Sequence, residues 1–317
     1  MPESIGSLGG YTTQIRALNN LGQAVGVSTT AAGEAHAFLY SRGRMQDLTA
    51  RYGIQDAGAI NDRGEISPRS TGLRAAVLRG GVFDEFGPPN SGAGDINARG
   101  DMLVDYFPEG LGYRSALYSK GTLTDLPRAG GMQVLGQAIN DAGWVTGYLT
   151  SADGRNHAFL WDGQTYTNLT PWARSSFGYD INNLGQVVGV SDGRAFLYAD
   201  GELIDLNTRI DRDADRLLIS ADEINERGQI LAPSCDRAGV FCYGSSLLTP
   251  VPAVPELPLV ALLPAGLALL GGRRLGRAVL LRRRSTFCTR VNSSCSTRRA
   301  TGKIGRQSCA GVRLIWV

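Results

Sequence analysis

Several residue types are scarce in this chain of 317 residues. Charged residues make up 19% of it, and there are only two histidines and five cysteines. So few charges exclude a protein rich in exposed charged helices, and a hydrophobic content of 43% excludes a disordered one. The first ten residues have neither a basic start nor an apolar stretch, so no signal peptide follows Met1.

Acidic residues are missing from the C-terminal part of the chain. All 29 of them lie before residue 257, and residues 257–317 carry twelve basic residues instead. This positive charge follows an apolar run, and no motif that reads nucleic acid is present. The pattern is therefore typical of a segment that flanks a membrane, and it argues against nucleic-acid binding.

Glycine is abundant, with 42 residues, and much of it belongs to a repeat. The dipeptide Ile-Asn or Leu-Asn occurs six times, and a glycine follows each asparagine after three residues. The asparagines are 42, 36, 43, 42 and 43 residues apart. They are Asn19, Asn61, Asn97, Asn140, Asn182 and Asn225. Because asparagine and glycine both tolerate positive φ, each copy predicts a tight turn between strands.

Each copy continues with a strand-like run, a polar loop, a second apolar run and a turn glycine before a short last strand. Four strands of ~5 residues with their connections account for the period of ~42. The sequence therefore predicts an all-β fold over residues 1–250, a β-propeller of about six four-stranded blades, with a β-solenoid as the alternative. We expect the central apolar strands to be buried between blades, and residues 5–10 to supply an outer strand that closes the ring.

The repeat resembles a known one. The pattern Ala-x-x-Ile-Asn-x-x-Gly-x-Val-Val-Gly followed by His-Ala-Phe-Leu-Tyr is similar to the HAF repeat, whose name matches His36-Ala37-Phe38 and His157-Ala158-Phe159 in this chain. The resemblance covers residues 5 to about 249. It implies a secreted bacterial repeat protein, and it brings no established catalytic residues.

The C-terminal region resembles a PEP-CTERM sorting signal. Val254, Pro255 and Glu256 precede an apolar stretch at 257–272, which is followed by Arg273 and Arg274. The resemblance implies that residues 251–284 hold an exported chain in the membrane, with the arginines in the cytoplasm, until an exosortase-like enzyme cuts near the Val-Pro-Glu motif. A packed C-terminal helix is the alternative.

Three further expectations concern export and the tail. Exported proteins begin with a signal peptide, so we expect the true start of this one to lie elsewhere. Residues 285–317 show no periodicity; we expect them to be disordered, and a frameshift or read-through explains them as well as a real segment does. Cys235 and Cys242 lie seven residues apart across a predicted hairpin, which permits either a disulfide or two free thiols.

Candidate chemistry is sparse. Asp211, Asp213 and Asp215 have a spacing found in calcium loops, but Arg216 stands where such loops need glycine, so a solvated acidic loop is favoured. His36 and His157 occupy the same position in two copies and have no convergent partners, which predicts structural roles. Glu223 and Asp236 are interpreted as ordinary surface acids. No cofactor and no catalytic residue is predicted.

Three functions remain open on the sequence. The favoured one is a non-enzymatic, exported surface or matrix protein whose propeller binds a polysaccharide, a peptide or a surface protein. The alternative is a propeller enzyme, a glycan lyase or hydrolase, which needs carboxylates converging at the central channel. A purely structural product is the third. We expect function where the copies differ, namely at the 36-residue spacing, in repeats two and six, and in the loop at 211–215.

Overall fold

The computed structural model describes residues 5–70, 74–110, 112–130, 132–210, 216–236, 242, 244–250 and 313–316. These residues form six sheets that follow one another along the chain. Five of them consist of four antiparallel strands paired in chain order, and the sixth also contains one parallel pair. The predicted all-β fold, a six-bladed propeller with four-stranded blades, is confirmed.

The strands are grouped by blade. Blade 1 contains β1 (Gly9–Leu18), β2 (Ala24–Thr30), β3 (Ala35–Ser41) and β4 (Arg44–Asp47). Blade 2 contains β5 (Asp56–Ile60), β6 (Ile66–Ser70), β7 (Ala75–Arg79) and β8 (Val82–Phe86). Blade 3 contains β9 (Ser91–Ile96), β10 (Met102–Tyr106), β11 (Arg114–Ser119) and β12 (Thr122–Asp125).

The second half of the ring continues the order. Blade 4 contains β13 (Gln133–Ile139), β14 (Val145–Thr150), β15 (Asn156–Trp161) and β16 (Tyr166–Asn168). Blade 5 contains β17 (Ser176–Ile181), β18 (Val187–Ser191), β19 (Arg194–Ala199) and β20 (Glu202–Asp205). Blade 6 contains β21 (Leu217–Leu218), β22 (Glu223–Ile224), β23 (Ile230–Cys235), β24 (Gly244–Pro250) and β25 (Arg313–Trp316).

The repeated asparagine builds the turn between the first and second strands of each blade. In blade 1 the side-chain Oδ1 of Asn19 accepts hydrogen bonds from the backbone N–H groups of Leu21 (3.1 Å) and Gln23 (2.9 Å). The N–H of Gly22 donates to the carbonyl of Asn19, and Gly22 has a φ of 73°. The predicted turn chemistry is confirmed, because the other five motifs have the same bonds and a positive φ at their glycines.

The same asparagines also tie each blade to the next. In blades 1 to 5 the side-chain Nδ2 donates to the backbone carbonyl of the following repeat's asparagine, at 2.9 to 3.2 Å. In the first four junctions this satisfies a buried donor and a buried acceptor, and in the fifth the bond is partly buried. The turn motif is thus a structural element twice over, within a blade and between blades.

The hydrophobic core is divided into five clusters, and each joins one blade to its successor. Phe38, Phe159 and Phe196, the phenylalanines of the second apolar run, are fully buried. The expectation that the central strands are buried between blades is therefore confirmed. Burial of a phenylalanine side chain stabilises a fold by about 2 to 3 kcal/mol, so these positions anchor the ring.

Both chain ends of the propeller differ from expectation. Residues 5–10 do not supply an outer strand to close the ring, so that hypothesis is wrong: Leu8 forms a parallel bridge with Thr30, and its N–H donates to Ser28 Oγ at 3.0 Å, both in blade 1 itself. The outer strand of blade 6 is β25, which pairs in parallel with β24. Residues 313–316 of the tail are therefore a strand, where the sequence predicted disorder.

Helical structure is limited to short segments in the described ranges. One α-helix, α1 (Leu48–Tyr52), follows blade 1, and a 3-10 turn covers Leu206–Thr208. Asp47 caps α1 by accepting a hydrogen bond from the N–H of Ala50. Within these ranges, no helix has the length and apolar character that a membrane crossing requires.

Candidate functional site

Most of the site residues proposed from sequence fall outside the described part of the chain. These are Asp211, Asp213 and Asp215 of the calcium-like loop, and Val254, Pro255, Glu256, Arg273 and Arg274 of the sorting signal. Within the described part, no three histidine, cysteine or acidic side chains are grouped so that they could hold a metal ion.

The two cysteines of the last repeat are joined. Cys235 ends β23, and its Sγ forms a disulfide with that of Cys242. The bond links the buried Cys235 to the exposed Cys242, just before β24 begins. It therefore fastens the hairpin of the last blade.

The two histidines have local partners. His36 Nδ1 lies 2.7 Å from Asp47 Oδ2, and this hydrogen bond raises the pKa of His36 above 6.5. His157 is buried, and its Nδ1 lies 3.0 Å from the carbonyl oxygen of Thr170. Each ring thus connects the third strand of its blade to the segment that ends the blade.

An open cleft of about 500 Å³ lies between blades 3 and 4, away from the asparagine turns. It is formed where β10 ends, where β13 begins and where β14 meets β15. Its lining consists of polar and aromatic side chains with one leucine: Asp105, Tyr113, Gln133, Leu135, Gln137, Tyr148, Thr150 and Asn156. A cleft with aromatic rings and several convergent polar groups is the usual form of a small-ligand site.

Each of the two tyrosine rings contacts another aromatic ring. Tyr148 contacts Phe177 of the next blade edge to face, with ring centroids 4.9 Å apart, and Tyr113 contacts Phe107 in the same way at 6.0 Å. Among the described residues, the hydroxyls of Tyr113 and Tyr148 have no hydrogen-bond partner. The hydroxyls are therefore available to a ligand, and Phe177 of the next blade holds the ring of Tyr148, whereas Tyr113 contacts the exposed Phe107.

Asp105 is the charged group of the cleft. Its Oδ1 accepts a hydrogen bond from the hydroxyl of Ser115. The Ser115 Oγ in turn accepts a hydrogen bond of 3.0 Å from the N–H of Gly136 in blade 4. Burial raises the pKa of Asp105 to about 6, although the Ser115 hydroxyl opposes the shift. The carboxyl group is therefore held rigidly, and it is ionised in most molecules at neutral pH.

The charge of Asp105 acts on both tyrosines. Burial and, after it, the Asp105 carboxylate raise the pKa of Tyr113 and the pKa of Tyr148 above 10. Both phenols therefore keep their protons at neutral pH. They can donate hydrogen bonds to a ligand, and they are poor general bases.

The cleft lies at a repeat position where the copies differ. Asp105 and Tyr148 follow the turn glycine by five residues, a position held by Val27 and Val190 in blades 1 and 5. The sequence shows this replacement of valine by an acid and by a tyrosine. The sequence pattern instead predicted function at the 36-residue spacing, in repeats two and six, and in the loop at 211–215. Another depression of similar volume, lined on blade 1 by Gln23 and Arg44, has no aromatic ring.

A second group of acids lies on the inner strands. Asp95 of β9 and Asp180 of β17 each accept a hydrogen bond from a backbone N–H of the next blade, at 2.9 Å from Ile139 and 2.7 Å from Ile224. Burial, together with the charges of other acids, raises the pKa of Asp95 and raises that of Asp180 to about 6. Their hydrogen bonds give both carboxylates a structural role between blades.

Glu223 lies on β22 with an exposed side chain, as the sequence suggested for a surface acid. Its carboxyl group nevertheless lies near other acids, and partial loss of solvent, followed by the charges of Asp180 and Asp95, raises its pKa to about 7. The three acids come from blades 3, 5 and 6, so their mutual influence requires the ring. Acids thus lie on the inner strands of three blades, and two of them accept hydrogen bonds from backbone donors.

Comparisons with known proteins identify the fold. No protein-family model matches the chain, and no curated protein matches it. Among solved structures, the β-propeller domain of the Trilobed protease from Pyrococcus furiosus, described as having an open velcro topology, is similar, with a TM-score of 0.51 and 10% identity; 74% of this chain and 83% of that one are covered. At this identity the likeness shows the fold alone.

Weaker similarities are spread over proteins of different activity. The Pyrococcus horikoshii acylaminoacyl peptidase has a TM-score of 0.44 and 12% identity, covering 67% of this chain and 40% of that one. The SapL1 lectin, solved with alpha methyl fucoside, has a TM-score of 0.40 and 12% identity, covering 74% and 94%. The chain thus spans less than half of the peptidase.

Proposed function

We propose that this protein is a non-catalytic binding protein of the cell exterior, and that the cleft between blades 3 and 4 binds a neutral saccharide. The observation that carries the proposal is the pair of tyrosines in the cleft, Tyr113 and Tyr148, with unpartnered hydroxyls beside the carboxylate of Asp105. Sugar rings have apolar C–H faces, which pack on aromatic rings, and hydroxyls, which bond to carboxylates and amides.

The acid content of the cleft favours binding over hydrolysis. Glycoside hydrolysis generally uses two carboxyl groups on either side of the scissile bond. Of the described side chains that line the cleft, Asp105 is the single carboxylate. Its neighbours Gln133, Gln137 and Asn156 carry uncharged amides, which recognise hydroxyls without transferring protons.

Isothermal titration calorimetry of the full chain with cellohexaose, xylohexaose and laminarihexaose tests the proposal. We expect at least one of them to bind. Tyr148→Phe, which removes a hydroxyl and keeps the ring, should weaken that binding about tenfold, and Tyr148→Ala should abolish it. Trp172→Ala is the matched control, since Trp172 is an exposed aromatic residue outside the cleft, and it should bind like the unaltered protein.

Other results would overturn the assignment. If all three oligosaccharides fail to bind, or if Tyr148→Ala binds as well as the unaltered chain, the cleft is not a saccharide site. Release of shorter sugars or of unsaturated products, followed by chromatography of the same mixtures, would favour the alternative of a glycan hydrolase or lyase.

We propose further that the chain is exported, anchored transiently by residues 251–284 and released by an exosortase-like enzyme. The Val254-Pro255-Glu256 motif, the apolar stretch and the arginines after it support this proposal, and so does the Cys235–Cys242 disulfide, since such bonds persist in oxidising compartments. Expression in a host that contains an exosortase should give a shortened extracellular protein. Pro255→Ala should leave it full length in the membrane fraction, whereas Pro252→Ala, outside the motif, should be processed.

A further inference from the structure

Among the described residues, five apolar clusters join the six blades, and none of them lies between blade 6 and blade 1. We call the side of a blade that faces the next blade in the chain its forward face, and the opposite side its rear face. In the other junctions, the forward face of a blade packs on the rear face of its successor. The second residue of each blade's second strand lies on the forward face. These residues are Val25, Ser67, Leu103, Thr146 and Val188, at most 2% exposed. Their counterpart in blade 6, Leu231, is 41% exposed, and its strand partner Leu247 is 44% exposed.

The rear face of blade 1 is uncovered in the same way. The residue before the motif asparagine belongs to the rear face. In blades 2 to 6 it is Ile60, Ile96, Ile139, Ile181 or Ile224, which are 5 to 8% exposed. In blade 1 it is Leu18, which is 68% exposed. Ile15, opposite Gly26 on the same side of the strand pair, is also exposed.

At this junction, blade 6 has a hydrogen-bond donor and blade 1 an acceptor that form bonds between blades elsewhere in the ring but not here. The Nδ2 of Asn225 donates to Gln229 Oε1 within its own turn, and no bond to a following blade is present in the described structure. The carbonyl of Asn19 accepts from Gly22 of its own turn, and in the described residues it has no second donor, unlike the corresponding carbonyls of blades 2 to 6. Blade 6 thus presents the donor that blade 1 lacks.

A second set of bonds shows the same complementarity. The backbone N–H after the motif asparagine donates to the side chain at that position in the next blade, as from Asn20 to Asp62 at 2.8 Å and from Asp141 to Asn183 at 2.7 Å. In blade 6 this position is Glu226, and the next acceptor in the series is Oδ1 of Asn20. Blade 6 therefore carries one half of an inter-blade interface, both apolar and polar, and blade 1 carries the other half.

We propose that the forward face of blade 6 docks on the rear face of blade 1 in a second copy of this chain. The contact is a further copy of the junction that already joins successive blades, with Leu231 and Leu247 covering Leu18. The two faces differ, so the association is head to tail, and it either closes after a few copies or continues. In the described structure, blade 6 does not pack on blade 1 of the same molecule, so a second copy of the chain supplies the complement.

Sedimentation velocity of the full chain in mild detergent tests the proposal. Dimers or larger species should form as the protein concentration rises. Leu231→Asp and Leu18→Asp should each reduce assembly, and an equimolar mixture of these two variants should form heterodimers, because each variant keeps one intact face. The double variant should remain monomeric. Leu184→Asp is the matched control, since Leu184 is equally exposed but lies on a turn of blade 5, and it should assemble like the unaltered chain.

Because Leu18 and Leu231 are on the surface, the variants should melt at the same temperature as the parent, and the mixture excludes simple misfolding as the cause of lost assembly. A chain that is monomeric at every concentration would overturn the proposal. In that case, protection of the Leu18 face from hydrogen exchange would show that blades 6 and 1 close on each other within one molecule. Association that persists in the double variant, as it would through the apolar C-terminal segment, would overturn it too.

Discussion

The side-chain amide of Asn140 donates a hydrogen bond of 3.1 Å to the backbone carbonyl of Asn182 in the next blade. The same side chain accepts, through Oδ1, the N–H groups of Ala142 and Trp144 in its own turn. One buried residue thereby shapes a turn and joins two blades. This double use accounts for the recurrence of asparagine in a motif that has no chemical task.

Replacing Asn140 with aspartate should separate the two tasks. Asn140→Asp keeps Oδ1 for the turn but replaces the donor toward Asn182 with a buried, charged acceptor. We expect the free energy of unfolding to fall by about 2 kcal/mol, measured by denaturant titration. Asn225→Asp is the control, because Asn225 is exposed and its amide meets no following blade. Equal losses in the two variants would show that the bond between blades contributes nothing.

The turn glycine is required by its backbone conformation. Gly143 has a φ of 84°, which side chains other than glycine adopt with strain. Gly143→Ala should cost about 1 kcal/mol of stability, whereas Gly94→Ala, at an ordinary φ and with Leu103 at a van der Waals distance of 3.6 Å, should cost less. Thermal unfolding of both variants provides the measurement, and a more stable Gly143→Ala would contradict the conformational argument.

The inner acids should make stability depend on pH. The pKa of Glu223 is raised to about 7 and that of Asp180 to about 6, both above their values in an unfolded chain. Between pH 5 and 7 the folded state therefore binds more protons, so stability should fall as the pH rises through this range and level off above it. Calorimetric melting temperatures across this range measure the effect.

Glu223→Gln isolates the contribution of this one acid. The variant removes its ionisation, so its melting temperature should change less between pH 5 and 7 than that of the parent. His36 acts in the same direction, because its raised pKa gives a contribution that is present below the unfolded value and lost as the pH rises. Because His36 is present in both proteins, its contribution cancels in the difference between their melting temperatures. If the melting temperatures of variant and parent change equally with pH, the role assigned to Glu223 is refuted.

The disulfide should stabilise the last blade. Cys235 and Cys242 close a short loop, and such a crosslink stabilises by about 2 kcal/mol through the unfolded chain. The Cys235→Ala/Cys242→Ala variant should unfold at lower denaturant concentration than the parent. After treatment with dithiothreitol, the parent should unfold like the variant, and a parent insensitive to reduction would show that the crosslink carries no stability.

The sequence by itself determined the elements whose causes are local or periodic. The turns at Asn19 and its five counterparts depend on neighbouring residues, and the spacing of ~42 residues counts the blades. The burial of Phe38 and its counterparts followed from the apolar run. These features repeat along the chain, so each copy supports the interpretation of the others.

Only the tertiary structure decided how residues from different repeats meet. Asp105 and Tyr148 hold the same repeat position in two blades, and they share a cleft because the ring sets those blades side by side. The raised pKa of Glu223 likewise depends on acids in blades 3 and 5. The expected closure by residues 5–10 was wrong, because local pairing with Ser28 and Thr30 takes precedence over a distant strand edge. The exposure of Leu18 follows from its place at the first blade, where no preceding blade covers a side chain that every later repeat buries.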